Sequence, residues 1–422
     1  MSHRRRVVVT GLGTVNPNGA DVPEFWSNCR RGVSALAKLT SFEVPEGFST
    51  SVGAIRTIAP RTLRGRTPWA ELDRSAQLGL GSALEAAEMA RLAALPERCR
   101  VGVFISTAIG QIGAMEDSFR RQSREASQPL AAAATADHDR DWQSFQFNSS
   151  AATIAQELDC RGGCVTVTTG CTGGLDAMGY ALDAIRAAEV DVAVSGATEA
   201  PITPLVVAAF GKIGATSLRN ADPEHASRPF DSQRDGFVLG EGAAMLVLEE
   251  LEHARARGAR ILAEIAGYGT VNNCYHMTDI PADGERIARS AELALQDAGL
   301  DPEAIDFINA HGSSTPQNDI AEAHAFQRLF GTRSKHIPVT SIKSQIGHPL
   351  SASNSIEVVA SVLTLMHGVI PPTINLVELD PRCELDVVGN VARSVAVRNI
   401  LKTSSGFSGI HSALVIRAVQ EN

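Results

Sequence analysis

Short runs of Val, Ala and Ile, each ending in Gly, Ser or Thr, recur through the first half of this chain. They lie at Arg6–Gly11, Arg100–Thr107, Cys164–Gly170, Val190–Gly196 and Ala243–Leu251. Their apolar residues are too continuous to alternate in polarity, so the pattern predicts strands buried on both faces. Helical patterns separate them, at Ser75–Leu95, Leu175–Ala188 and Pro204–Ile213. A charged, helix-like bridge follows at Glu249–Arg260, and then the theme restarts. Strands are expected at Ile261–Gly269, Ala304–Ala310, Ile337–Ser341, Arg398–Ser405 and Ser412–Val419, with helices at Gly284–Ala298, Asp319–Phe330 and Ser355–His367. The order predicts an α/β chain in two halves, residues 1–255 and 256–422, although no sequence repeat proves them related. Gln111–Asn148, polar and Ala-rich with few turn signals, reads as an insertion or interface excursion rather than core. Asp222–Gly236 reads as a long polar loop before a strand.

Composition narrows the function. With 44% hydrophobic residues over 422 positions, a core forms without staples, and 5% aromatics suit close helix–sheet packing. A net charge of -9 argues against a nucleic-acid partner, which would require a basic face. One local basic cluster stands out, Arg61, Arg64, Arg66 and Arg74. It is either a solvated helix start or a docking patch for an acidic partner. The seven cysteines show neither CxxC pairs nor metal-ligand spacing. Free thiols, the absence of a signal-like start and the absence of a membrane-length apolar stretch lead us to expect a cytoplasmic protein with no membrane partner.

The chemistry concentrates in CVTVTTGCTGGLDAMGYALDAI. An apolar strand ends, Gly170 permits a sharp turn, Cys171 follows, and a helix begins within a few residues. This is a strand–nucleophile–helix elbow with sulfur as the nucleophile. A cysteine there faces unpaired N–H groups and the positive end of the helix dipole, which favours thiolate and can bind a developing oxyanion. The competing reading is a buried structural cysteine.

Two histidines sit at strand-to-loop junctions with glycine beside them, His311 in HGSSTPQND and His348 in SIKSQIGHPLSASNSIE. Strand carboxyl ends line the clefts of α/β sheets, so the pair suggests proton and charge management near the thiol. Lys343, Glu357 and Asp319 accompany them, either as surface charges or as buried partners. In SSGFSGIHSA, Phe407 between Gly406 and Ser408 could offer an aromatic plug or a backbone donor, or form a plain turn. A dinucleotide site is excluded, because VVVTGLGTVNPNG lacks the third glycine and the following acidic residue.

Taken together, these segments resemble the β-ketoacyl synthases of the thiolase superfamily over nearly the whole chain. The match runs through RRVVVTGLG, TGCTGGLDA, SGATEAPITP, RPFDSQRDGFVLGEGA, NAHGSSTPQND, IKSQIGHPLSASNSIE and GFSGIHSA. GCTGGLDA, PEHASRPFD, the QND ending and PPTINL are most similar to the catalytic (alpha) ketosynthase subunit of bacterial type II polyketide synthases. The resemblance implies a thiolase-like layered αβαβα fold of two similar halves and a decarboxylative Claisen condensation. Cys171 would hold the acyl chain, and His311 and His348 would promote decarboxylation of the malonyl thioester. Lys343 and Glu357 would order the histidine loops, with Asp319 as a supporting residue. The N–H groups of Cys171 and Phe407 would form the oxyanion hole, with Phe407 also a gate, and Ser313 and Thr315 would contact phosphopantetheine. No bound cofactor is implied, since phosphopantetheine arrives on an acyl carrier protein, which Arg61, Arg64, Arg66 and Arg74 would dock. The expected assembly is a heterodimer with a chain-length-factor-like homologue, or otherwise a homodimer.

The chain departs from the family pattern at Ser313, Gly174, Ser351, Asn354, Ser408 and His411, which puts pocket shape and gating in question. Rival readings have weaker footing. A thiolase requires a second cysteine near the C-terminal glycines, a chain-length factor lacks the nucleophile, and a papain-like hydrolase has a different cysteine motif. A fatty-acid elongation synthase remains an alternative.

Overall fold

The structure is a computed structural model that describes residues 4–63, 68–95, 100–125 and 145–419, the backbone alone for 122–125. Eleven strands build the main sheet: β1 (Val7–Val15), β2 (Val101–Ser106), β3 (Cys164–Val167), β4 (Val192–Glu199), β5 (Gly242–Glu250), β6 (Ala263–Asn272), β7 (Phe307–Asn309), β8 (Pro338–Thr340), β9 (Asp386–Val387), β10 (Asn399–Ser405) and β11 (Ile410–Arg417). Their order is β9-β8-β7-β10-β11-β6-β1-β5-β4-β2-β3.

The two halves of that order are copies. Outward from the β1–β6 seam, each half runs first, fifth, fourth, second, third strand, with β9 added at one edge. The pairing directions repeat as well. β2 is parallel to β3 and β4, and β7 is parallel to β8 and β10. The fourth–fifth and fifth–first pairs are antiparallel in both halves. At the seam Val7, Val8 and Val9 face Ile265, Glu264 and Ala263 in antiparallel register.

Of the helices among the described residues, six form the layers: α1 (Arg74–Met89), α2 (Ser149–Glu157), α3 (Gly173–Arg186), α4 (Glu285–Ala298), α5 (Pro316–Phe330) and α6 (Leu350–His367). α1 and α2 cover the outer face of the first half, and α4, backed by α5, covers that of the second. α3 and α6 pack on each other between the halves and touch strands of both, which gives the αβαβα layering. A helix in that position must bury all its sides. Every residue of α6 from Leu350 to Thr364 is buried. Its opening SASNS, expected to be loop before a helix at Ser355, is helical because its small side chains fit the tight space between the two halves of the sheet. α6 ends at Gly368, in the left-handed conformation glycine adopts without strain.

The loop Asp222–Gly236 is polar but partly interior, with Ser227, Arg228, Phe230, Asp231 and Arg234 all buried. The charged bridge contains one short helix, Leu251–Ala256, and its first residues, Glu249 and Glu250, close β5.

Candidate active site

β3 ends at Val167, and Gly170 turns the chain at φ 62°, a region that favours glycine. Cys171 sits in the following turn, and α3 begins at Gly173. Asp176, in the first turn of α3, ties this elbow down. It accepts bonds from the Thr169 and Thr172 hydroxyls and from Tyr268 Oη (2.7 Å) and Ser412 Oγ (2.5 Å) on β6 and β11. The Cys171 carbonyl accepts from Asn354 Nδ2 and from Ser404 Oγ at 3.2 Å. Close approach of α3 to α6 requires glycine at position 174. A Cβ there would lie 2.6 Å from the Ser351 carbonyl oxygen and 2.7 Å from Ser355 Oγ.

A cavity of about 110 Å³ opens over the elbow, lined by Cys171, His311, His348, Ser313, Thr315 and Phe407 among others. His311 follows β7 and His348 precedes α6, so the two halves bring sulfur and imidazoles to one wall. The His rings meet edge to face, 5.2 Å between centroids, and Phe237 stacks edge-on against His348 at 5.3 Å. Burial first, then the nearby Lys343 charge, holds both histidines well below their ordinary 6.5. They are therefore neutral, each with one N–H to donate and one nitrogen to accept. The Ser313 and Thr315 hydroxyls bond each other at 2.8 Å on the same wall.

Behind the histidines lies a fully buried polar layer. Lys343 Nζ donates to the His311 carbonyl at 2.7 Å and pairs with Glu357. Asp319 accepts the Phe230 N–H at 2.8 Å and lies 3.5 Å from Arg234, which also pairs with Asp380 at 2.8 Å. Burial raises Asp319 to about 6 against the pull of Arg234. Lys343, Glu357 and Asp319 are thus interior groups behind the cavity and do not line it.

The thiol departs from expectation. Burial pushes Cys171 up to about 11, and the Glu199 carboxylate adds to the rise. Lys343 and the backbone N–H groups of Phe407 and Cys171 pull the other way without overcoming it. The helix N-terminus is in place, but burial opposes it more strongly. The same two N–H groups converge on the sulfur, where an oxyanion would develop beside it.

The basic cluster is only partly visible. Arg64 and Arg66 fall outside the described residues. Arg61 is exposed. Arg74, at the start of α1, commits its guanidinium to Glu241 (2.6 and 2.7 Å) and the Ile55 carbonyl, and so anchors the fold as well as facing solvent.

Several site residues carry no sequence signal of their own. Glu322 accepts the N–H groups of His311 and Gly312, both at 2.7 Å, together with the Thr403 hydroxyl. Its spacing from Asn318 and Asp319 on one helical face was the available clue. Glu199, in the quoted SGATEAPITP, accepts from Ser351 Oγ at 2.5 Å and is raised to about 7 by burial. Lys402 read only as a strand residue.

Residues 4–254 match the family described as beta-ketoacyl synthase, N-terminal domain, and residues 262–377 match beta-ketoacyl synthase, C-terminal domain. The tetracenomycin polyketide synthase ketoacyl synthase alpha subunit of Streptomyces glaucescens is 42% identical over 430 residues, 99% of this chain and 98% of that one. A type II polyketide ketosynthase, solved with its acyl-carrier protein and bound to the hexaketide, superimposes with a TM-score of 0.91 at 40% identity, covering 99% and 100% of the two chains. The ishigamide ketosynthase/chain length factor gives a TM-score of 0.90 at 34% identity, again covering 99% and 100%. No helix among the described residues is long and apolar enough to cross a membrane.

Proposed function

Because this chain belongs to the β-ketoacyl synthase family, we propose that it is the condensing subunit of a type II polyketide synthase, extending a Cys171-bound acyl chain with malonyl units. The observation that carries this is the convergence of Cys171, His311 and His348 on one cavity beneath paired N–H donors.

The chemistry runs in two stages. In transfer, Cys171 sulfur attacks the thioester carbonyl of an incoming acyl carrier protein. The N–H groups of Cys171 and Phe407 hold the oxyanion, a neutral histidine takes the thiol proton, and that proton leaves with the carrier thiolate. In condensation, the malonyl thioester loses its carboxyl group as CO₂. The N–H groups of His311 and His348 stabilise the resulting enolate oxygen. The enolate carbon then attacks the Cys171 thioester, forming the carbon–carbon bond and expelling Cys171 as thiolate, which takes up a proton from solvent before the next transfer. Lys343 and Glu357 position the His311 loop, and Asp319 supports it from behind. Ser313 and Thr315 hydrogen-bond the phosphopantetheine arm, and Phe407 gates its entry.

The arm arrives on the carrier, and the protein carries no bound cofactor of its own. The carrier docks at the basic segment that contains Arg61, Arg64, Arg66 and Arg74 in the sequence. The partner is a chain-length-factor-like homologue, and the protein works in the cytoplasm. β3 supports such pairing: it is an edge strand with Cys164 and Val165 exposed, an edge a second chain would cover.

The test is reconstitution with a malonyl-loaded carrier and a candidate partner subunit, with carrier-bound products read by mass spectrometry. Unreduced β-keto chains together with CO₂ release are expected. Extension of saturated acyl chains by this subunit alone would support fatty-acid elongation instead.

A further inference from the structure

Glu357 has two cationic partners. One carboxylate oxygen meets Lys343 Nζ at 2.5 Å, and the other meets Lys402 Nζ at 2.7 Å. Both lysines are fully buried. They also grip successive carbonyls at the end of β7. Lys402 Nζ donates to Ala310 at 3.2 Å, and Lys343 Nζ donates to His311 at 2.7 Å. Lys402 Nζ places a further bond on the Thr403 carbonyl at 2.8 Å. Two backbone carbonyls thus accept from the Lys402 ammonium, and the Glu357 carboxylate holds it as an ion pair. A lysine on a buried strand costs more than an apolar residue of the same size, so stability alone gives no reason for it. Its placement matches that of Lys343: the same carboxylate, the neighbouring carbonyl, the same histidine loop.

We propose that Lys402 is a second positioning residue for the condensation, paired with Lys343 across Glu357 and fixing the backbone that presents His311. The inference rests on the condensing activity proposed above.

The groups facing Lys402 are Glu357 on α6, Lys343 in the turn before it, Glu322 on α5, and the two histidines. The Lys402 charge opposes protonation of His311 and of His348. Burial, opposed by Glu357 and aided by Lys343, brings Lys402 itself down to about 8. The ammonium is therefore intact below that value and is lost as pH rises through it. Glu357 then keeps one cation instead of two, the Ala310 carbonyl loses a charged donor, and the positive field at the enolate site weakens. kcat declines through that range. KM moves little, because Lys402 does not line the cavity.

The experiment measures kcat and KM against pH for condensation by the reconstituted enzyme, comparing wild type, Lys402→Arg and Lys402→Met. Wild type should show an alkaline limb near 8. Lys402→Arg, with a guanidinium that stays charged, should move the limb to higher pH. Lys402→Met should lose kcat on the order of 10²-fold, the scale of a misplaced catalytic group, with little change in KM. A Lys402→Met enzyme with wild-type rate and profile overturns the proposal while leaving the condensing activity standing. Should that variant fail to fold, a wild-type profile flat through pH 8, or a Lys402→Arg limb that does not move, overturns it equally. A wild type that does not condense overturns the functional reading, and this inference falls with it.

Discussion

The rings of His311 and His348 lie 79° apart in plane, with centroids 5.2 Å from each other. Two cationic imidazoles could not share that space in a dry pocket at low cost, and the lysines behind them add to the repulsion. Neutrality is thus imposed by the architecture. It suits the chemistry, since a neutral imidazole donates to an enolate without protonating its carbon.

The first expectation concerns pH. Both histidines titrate below their ordinary value of 6.5 when folded, so the unfolded chain binds protons that the native chain refuses. Their contribution to stability is present above 6.5 and is lost as pH falls towards the folded values. Thermal melts should decline once pH drops below 6.5, and the acid limb of kcat should lie below it. His311→Ala and His348→Ala should each cost condensation roughly 10²–10³-fold while Cys171 still accepts an acyl group.

A second follows from the polar layer. Glu357 is the carboxylate that both buried lysines share. Glu357→Ala leaves two interior charges without it, and breaking a buried pair costs about 3–5 kcal/mol. The denaturant midpoint should fall by a corresponding amount with the slope unchanged, and condensation should be lost with it.

Gly174 provides a third. A methyl group there would sit 2.6 Å from the Ser351 carbonyl oxygen and 3.2 Å from Asn354 Cβ, so α3 and α6 must separate. Gly174→Ala should destabilise the fold by about 1–3 kcal/mol, as overpacked cores do. Because Asn354 grips the Cys171 carbonyl, the rate of iodoacetamide alkylation at Cys171 should change too.

Strand pattern and elbow were legible because each follows from a local rule, except that the strand before the elbow, Cys164–Val167, lies at the sheet edge with Cys164 and Val165 exposed and is not buried on both faces. A strand buried on both faces must be continuously apolar, and a nucleophile elbow requires glycine before the cysteine and a helix after it. Other features depend on neighbours far along the chain. α6 starts at Leu350 because the two halves of the sheet enclose SASNS, and nothing within those five residues signals it. Arg234 is interior because Asp319 and Asp380 meet it there, 85 and 146 positions away. Lys402 followed the strand pattern of its neighbours, and its partner Glu357 lies on a helix of the central layer. At Cys171 the helix N-terminus is visible in sequence, whereas the burial that opposes it is not.

The most direct test of the account is the intact mass of the protein after exposure to acyl-loaded carrier protein and removal of the carrier. Wild type should gain the mass of one acyl group, releasable by hydroxylamine and mapping to the peptide that contains Cys171, while Cys171→Ala should gain nothing. An adduct that persists in Cys171→Ala, or that maps to any other cysteine, would contradict it.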